Sequence, residues 1–275
     1  MTFSTNDIAT ESARLLAALR AKRPLVQCIT NFVSMDVVAN ALLSLGASPA
    51  MVHAPQETLQ FIDMADALVC NIGTLSQTWV DSMAVAAQAA QDKHKPWVLD
   101  PVGAGGTRFR DAAVVRLLRY GPSVIRGNAS EIMAVAKSLS LTATEATPKG
   151  ADSTNTTDEA ADVAHTLARH LKCVVAATGA IDLVTDGEHT VRLANGSPQM
   201  ARVTALGCAL SGLVGAFQAV SDDRFMATTA AVAIYGIAGD MAAEKAQRPG
   251  SFRVAFIDAL DEIDRTQIAT RLKLL

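Results

Sequence analysis

Apolar positions recur along this chain at two spacings that take turns. Ile8, Leu15, Leu16 and Leu19 share one face of a helix over 8–20 that stops before Pro24. Leu25-Val26-Gln27-Cys28-Ile29 is a short apolar strand breaking into Thr30-Asn31. Helical spacing resumes from Ser34 through Val37, Val38, Ala41, Leu42 and Leu45, and Gly46 ends it. The alternation then repeats. Strands are predicted at 50–52, 67–73, 96–100, 123–126 and 173–179, with helices at 76–91, 109–119 and 157–170 between them. Asp182 to Val191 alternates around Asp186-Gly187, the pattern of a hairpin. Three helices close the chain, one starting near Cys208, an Ala-rich one over 223–245, and one after Pro249-Gly250-Ser251. The longest polar connection covers 141–157, and no internal repeat is evident.

Strands alternating with helices through residue 180 predict an α/β fold. We expect a three-layer α/β/α sandwich, a mostly parallel sheet with an antiparallel edge hairpin, as a single domain over 1–275. Asn31, Met51, Asp100, Arg126 and Thr178 would then gather at the C-terminal edge of the parallel strands, where such sheets bind ligands. Composition narrows the picture. Half of the 275 residues are apolar but only 4% are aromatic, which suits close-packed helices on a sheet. A net charge of −3 provides no basic footprint for nucleic acid or anionic membranes. The first residues lack a basic, then apolar, leader, and the apolar runs are short or interrupted, so no membrane span is expected. Cys28, Cys70, Cys173 and Cys208 form no CxxC pair and read as reduced thiols of a cytoplasmic protein.

Three stretches carry candidate chemistry. Thr204 to Leu213 reads as a loop turning into a helix of small residues, whose first-turn N–H groups make an anion site. Cys208 sits there either as a thiolate favoured by the helix end or as a small buried apolar residue. Asp100 is delivered by an apolar strand into Pro101-Val102-Gly103-Ala104-Gly105-Gly106, glycines that match neither the P-loop nor the GxGxxG spacing. Arg126 ends another strand, followed by Asn128 and Glu131. The latter pair is either a capping box alone or, with Asp100, part of a hydrated Mg²⁺ site beside phosphate held by Arg126. Asn31 either caps the next helix or faces a ligand, and Met51 is either core filler or the wall of a small apolar pocket.

Taken together and in order, Cys28-Ile29-Thr30-Asn31, Leu45 to Met51, Leu99-Asp100-Pro101-Val102, Ile125 to Glu131, Thr178-Gly179 and Gly207 to Ser211 resemble the hydroxyethylthiazole kinase family of the ribokinase-like superfamily. The resemblance implies a ribokinase-like fold without a separate lid. It also implies ATP- and Mg²⁺-dependent phosphorylation of 4-methyl-5-(2-hydroxyethyl)thiazole in thiamine salvage, by a homotrimer with active sites between subunits. It places Asn31, Met51 and Ala205 on the thiazole, Arg126, Thr178 and Gly207 on ATP, and Asp100 and Glu131 on the metal, with Asn128 in support. Cys208 stands where sugar kinases of the superfamily place an aspartate base. One departure stands out: Ala205-Leu206-Gly207 replaces the family's Gly-Thr-Gly or Gly-Ala-Gly. Alanine resists a positive φ there, and Leu206 is expected to bring bulk beside the thiazole or γ-phosphate. Competing expectations are a pyrimidine or vitamin B6 precursor as the alcohol, and a nucleotide-binding regulator without turnover. A redox role for Cys208 lacks a resolving cysteine nearby.

Overall fold

A computed structural model of the protein describes residues 3–141 and 157–275, so most of the polar connection expected over 141–157 lies outside the described residues. Helix α1 (Thr5–Lys22) starts in a reciprocal capping box between Ser4 and Asp7. There follow β1 (Leu25–Ile29), α2 (Met35–Leu45), β2 (Ser48–Ala50), α3 (Pro55–Met64), β3 (Ala67–Asn71), α4 (Gln77–Asp92), β4 (Trp97–Asp100) and α5 (Arg108–Leu118). The second half runs β5 (Val124–Asn128), α6 (Ala129–Ser138), α7 (Thr157–Leu171), β6 (Val174–Thr178), β7 (Asp182–Thr185), β8 (Thr190–Leu193), a 3-10 turn at Pro198–Arg202, α8 (Leu206–Gln218), α9 (Arg224–Lys245), α10 (Pro249–Glu262) and α11 (Arg265–Arg271).

The strands form one sheet in the order β2-β1-β3-β4-β5-β6-β7-β8. Pairing is parallel from β2 to β6 and antiparallel from β6 through β8, as the hydrophobic pattern predicted. The antiparallel edge is itself covered by the chain's tail, where Leu274 bridges Leu193 and Leu275 N–H donates to the Arg192 carbonyl. Because the chain leaves β1 for β2 on one side and β3 on the other, the order reverses at β1. A crevice is expected there, beyond the strands' C-terminal ends.

Period-2 alternation sorts the strand side chains between two cores. Val26, Cys28, Val69, Val98, Val124, Val174 and Ala176 face a layer built from α1, α2, α8, α9 and α10. Ile29, Leu68, Cys70, Trp97, Leu99, Ile125, Val175 and Ala177 face α3 through α7. Each fully buried Ile, Leu or Val contributes about 1.5–3 kcal/mol of transfer free energy, so both faces of the sheet are held. Helix α9 is long and apolar enough to cross a membrane by length and composition, yet it is buried almost throughout as the centre of the first core. Cys28, Cys70 and Cys173 are buried free thiols whose ionisation burial pushes up, consistent with inert core residues.

Two local expectations are corrected. The strand expected at 50–52 lies two residues earlier, because Ser48, Pro49 and Ala50 pair with Leu25, Val26 and Gln27. Pro49 has no N–H to donate, which an edge strand tolerates. Met51 therefore follows the strand rather than sitting inside it. Helices α3 and α11 were not anticipated: α3 buries only Thr58 and Ile62, and α11 only Ile268, too few positions to show a helical period.

Candidate active site

The C-terminal ends of neighbouring strands bring together residues far apart in sequence. Asn31 lies two residues beyond β1, Asn71 ends β3, Asp100 ends β4, and Asn128 ends β5 beside Thr178 of β6, with Arg126 at the middle of β5 rather than at its end as the sequence suggested. Asn71 is level with Asp100 and Asn128 with Thr178 in the strand register. Met51 stands half-buried at the same edge, just past β2. The N-terminus of α8 carries Cys208 to this edge, where Asn31 Nδ2 donates to its Sγ at 3.4 Å.

The start of α8 decides what that helix end can do. Ala205 takes the left-handed conformation at φ 69° as the N-cap residue, so the chain adopts the turn that glycine usually makes there. Leu206 is 2% exposed and belongs to the core, so its bulk points away from the site, contrary to the sequence expectation. The Tyr235 hydroxyl of α9 donates to the Leu206 carbonyl at 2.5 Å, pinning the turn from below. The first helical bond runs from Ala209 N–H to the Ala205 carbonyl at 2.9 Å. The N–H groups of Leu206, Gly207 and Cys208 precede it and have no helical acceptor, which leaves them available to an anion. A Cβ at Gly207 would lie 3.0 Å from the Arg126 guanidinium, so a side chain there would push that group by a few tenths of an ångström.

Arg126 spans the space between α8 and β6, donating from Nη2 to Thr178 Oγ1 at 2.6 Å, while its buried Nε has no partner. That arrangement leaves a guanidinium edge free for a phosphate oxygen. Asp100 is fully buried. Its Oδ2 accepts from Asn71 Nδ2 at 2.6 Å and from Ser211 Oγ at 2.8 Å, while Oδ1 has no partner. Burial pushes its carboxyl up to about 7, against the pull of Arg126 and with a smaller push from Glu131. Burial, then the neighbouring Asp100 charge, push the Cys208 thiol up as well, outweighing the bonds from the asparagines and the Arg126 charge. The thiolate that the helix end was expected to favour is therefore opposed in this site.

Glu131 has both oxygens engaged by backbone. Oε1 accepts from Gly103 N–H at 2.9 Å and Oε2 from Asn128 N–H at 2.8 Å, while Asn128 Oδ1 caps Glu131 N–H at 2.9 Å. The capping box is real, and it also ties the glycine-rich loop after β4 to the start of α6. Among the described residues no three acidic, His or Cys side chains form a metal cluster. The orphaned Oδ1 of Asp100 nonetheless fits a hydrated Mg²⁺, which needs only one or two carboxylates besides water and phosphate. Glu131 fits less well because its oxygens already have donors.

Several residues of this site were not singled out by sequence. Asn71 links Asn31 to Asp100, Ser211 holds Asp100 from α8, and Tyr235 holds the turn before Gly207. Arg110 of α5 donates to the carbonyls of Ile72, Val102 and Gly73 at 2.6, 2.7 and 2.6 Å, clamping the loops after β3 and β4. Strand-end polarity was the only available signal for Asn71, and for Tyr235 there was none.

A parallel sheet with a buried carboxylate, an arginine and a helix N-terminus at one edge defines a phosphate-transferring enzyme of ribokinase-like architecture. A ribokinase-like superfamily protein from Enterococcus faecalis shares that fold, with a TM-score of 0.62 at 14% identity, covering 96% of this chain and 99% of its own. The model of the Hydroxyethylthiazole kinase family matches residues 16–266, and the chain belongs to that family. It is 50% identical over 260 residues to a hydroxyethylthiazole kinase of Rhizobium etli, covering 94% of this chain and 98% of that protein. The solved hydroxyethylthiazole kinase of Pyrococcus horikoshii superposes with a TM-score of 0.88 at 42% identity, covering 96% and 98%.

Proposed function

We propose that the protein transfers the γ-phosphoryl group of ATP to the primary alcohol of 4-methyl-5-(2-hydroxyethyl)thiazole, forming the thiazole phosphate ester and ADP, a salvage step toward thiamine. The observation that carries this reading is family membership over nearly the whole chain, together with Asn31 and Cys208 meeting at the N-terminus of α8 beside Arg126.

In this reading Asn31, Met51 and Ala205 line the thiazole side, while Arg126, Thr178 and Gly207 take the ATP phosphates. The N–H groups of Leu206, Gly207 and Cys208 receive charge developing on the transferred group. The reaction uses a divalent metal, which we take to be Mg²⁺, held through Asp100, with Asn128 and Glu131 keeping the adjoining loop in shape. When bound, that ion offsets negative charge on the phosphate oxygens. Phosphoryl transfer through a loose transition state depends on positioning and charge stabilisation more than on removing the alcohol's proton. Cys208, its thiol pushed up by burial, accordingly lines the site first and serves as a proton acceptor second. A cytoplasmic homotrimer with sites between subunits completes the reading, on the strength of the resemblance.

The deciding experiment measures ADP release with ATP, Mg²⁺ and the thiazole alcohol, beside hydroxymethylpyrimidine and pyridoxal. Turnover confined to the thiazole is expected. Turnover on a rival alone would overturn the substrate, and ATP binding without turnover on any alcohol would turn the reading toward a regulator.

A further inference from the structure

Asn31 donates to the Cys208 sulfur at 3.4 Å, and its amide is held on three sides. Its Oδ1 accepts from Val33 N–H and Ser34 N–H, both at 3.1 Å, which fixes which end of the amide is oxygen. Its Nδ2 donates to Asn71 Oδ1 at 2.8 Å. Gly73 lies so close that a Cβ there would fall 2.5 Å from Asn31 Nδ2. The two hydrogens of a planar amide diverge at a set angle, so binding one of them aims the other. With one directed to Asn71, the second points at Cys208 and the space in front of it.

Asn71 is equally constrained. It is 2% exposed, and its Oδ1 also accepts from Gly73 N–H at 3.0 Å while its Nδ2 donates to Asp100 Oδ2 at 2.6 Å. Its oxygen and one amide hydrogen are thus engaged within the protein, and the second hydrogen is turned toward the Cys208 sulfur.

We infer that Asn71 is the positioning residue that aims the Asn31 amide at the alcohol of the acceptor substrate, coupling it through a buried chain to Asp100. This inference rests on the kinase reading above and deepens it. Asn71 does nothing to the nucleotide directly; it makes the acceptor side of the site rigid. Loss of a buried neutral hydrogen bond that aims a ligand contact is worth about fivefold to tenfold in affinity.

The test is a double-mutant cycle on the full chain. Asn71→Ala is expected to raise the KM for the thiazole alcohol about fivefold to tenfold, more than it raises the KM for ATP, which feels the change only through Asp100. In an Asn31→Ala background the same change should add little, because the two act as one unit. Gly73→Ala, which crowds Asn31 without touching Asp100, is expected to raise the alcohol KM in the same way and guards against misfolding of the first variant. A readout free of substrate accompanies these: Cys208 is the one thiol of the four that is only half-buried, and the pH midpoint of its alkylation should move upward in Asn31→Ala and further in Asn71→Ala, which loses the aim of Asn31 together with its own bond to the sulfur, with the double variant matching Asn71→Ala. Unchanged alcohol KM, additive effects, or an unmoved alkylation midpoint would overturn the inference. If wild type failed to phosphorylate the thiazole while the alkylation shifts appeared, the substrate assignment would fall and the positioning role would stand.

Discussion

Ala205 occupies a backbone conformation that costs an L-residue with a Cβ about 1–2 kcal/mol, and the surrounding turn holds it there. Ala205→Gly is therefore expected to stabilise the fold by about 0.5–1 kcal/mol after the added freedom of the unfolded chain is counted, read as a higher denaturation midpoint in urea. Ala205 already holds a left-handed φ that glycine adopts without strain, so activity should persist in both forms. For Cys208, whose thiol is pushed up by burial and by Asp100, a change to alanine is expected to leave measurable turnover. A folded, ATP-binding Cys208→Ala protein with no turnover would promote the sulfur to an essential base.

At the level of elements, the N-terminus of α8 is made usable by a helix behind it. Tyr235 of α9 holds the Leu206 carbonyl from the core, so Tyr235→Phe should cost about 0.5–1.5 kcal/mol by removing that hydrogen bond while the carbonyl keeps its helical one. The same variant should lower kcat more than it alters the KM for ATP, as the donors after Leu206 lose their fixed aim. Much of this architecture was readable from the chain. Period-2 and 3.6-residue spacings located β1, β3, β4, β6 and the hairpin, because each buries nearly all its residues or alternates cleanly. They missed α3 and α11, whose buried faces are one or two residues wide. The sequence also placed Asn31, Asp100, Arg126, Thr178 and Cys208 at one edge. It could not place Asn71 or Tyr235, since their roles are pairings across strands or between helices, set by register and packing rather than by local pattern. Leu206 misled for the same reason: only the helix phase shows that it faces inward.

For the molecule as a whole, two desolvated carboxyls near the site, the buried Asp100 and the half-buried Asp182, set a pH dependence. Burial raises Asp100 to about 7 and Asp182 to about 6 from the ordinary 3.8, the latter against the pull of Gly179 N–H and Arg126. Between about pH 4 and 7 the folded protein holds protons that the unfolded chain has lost, so stability falls as pH rises through that window. Thermal unfolding should show a declining midpoint from pH 5 toward pH 8, and Asp182→Asn should flatten the lower part of the slope. The placement of α9 has a consequence of another kind. The middle of the chain, α3 to α7, covers one face of the sheet as it is made, whereas the opposite face waits for α8, α9 and α10. A nascent chain that has left the ribosome only through β8 already possesses every strand, yet half of one broad Val- and Ala-rich surface is bare. Premature termination there yields a fragment that exposes this apolar face rather than a smaller working enzyme.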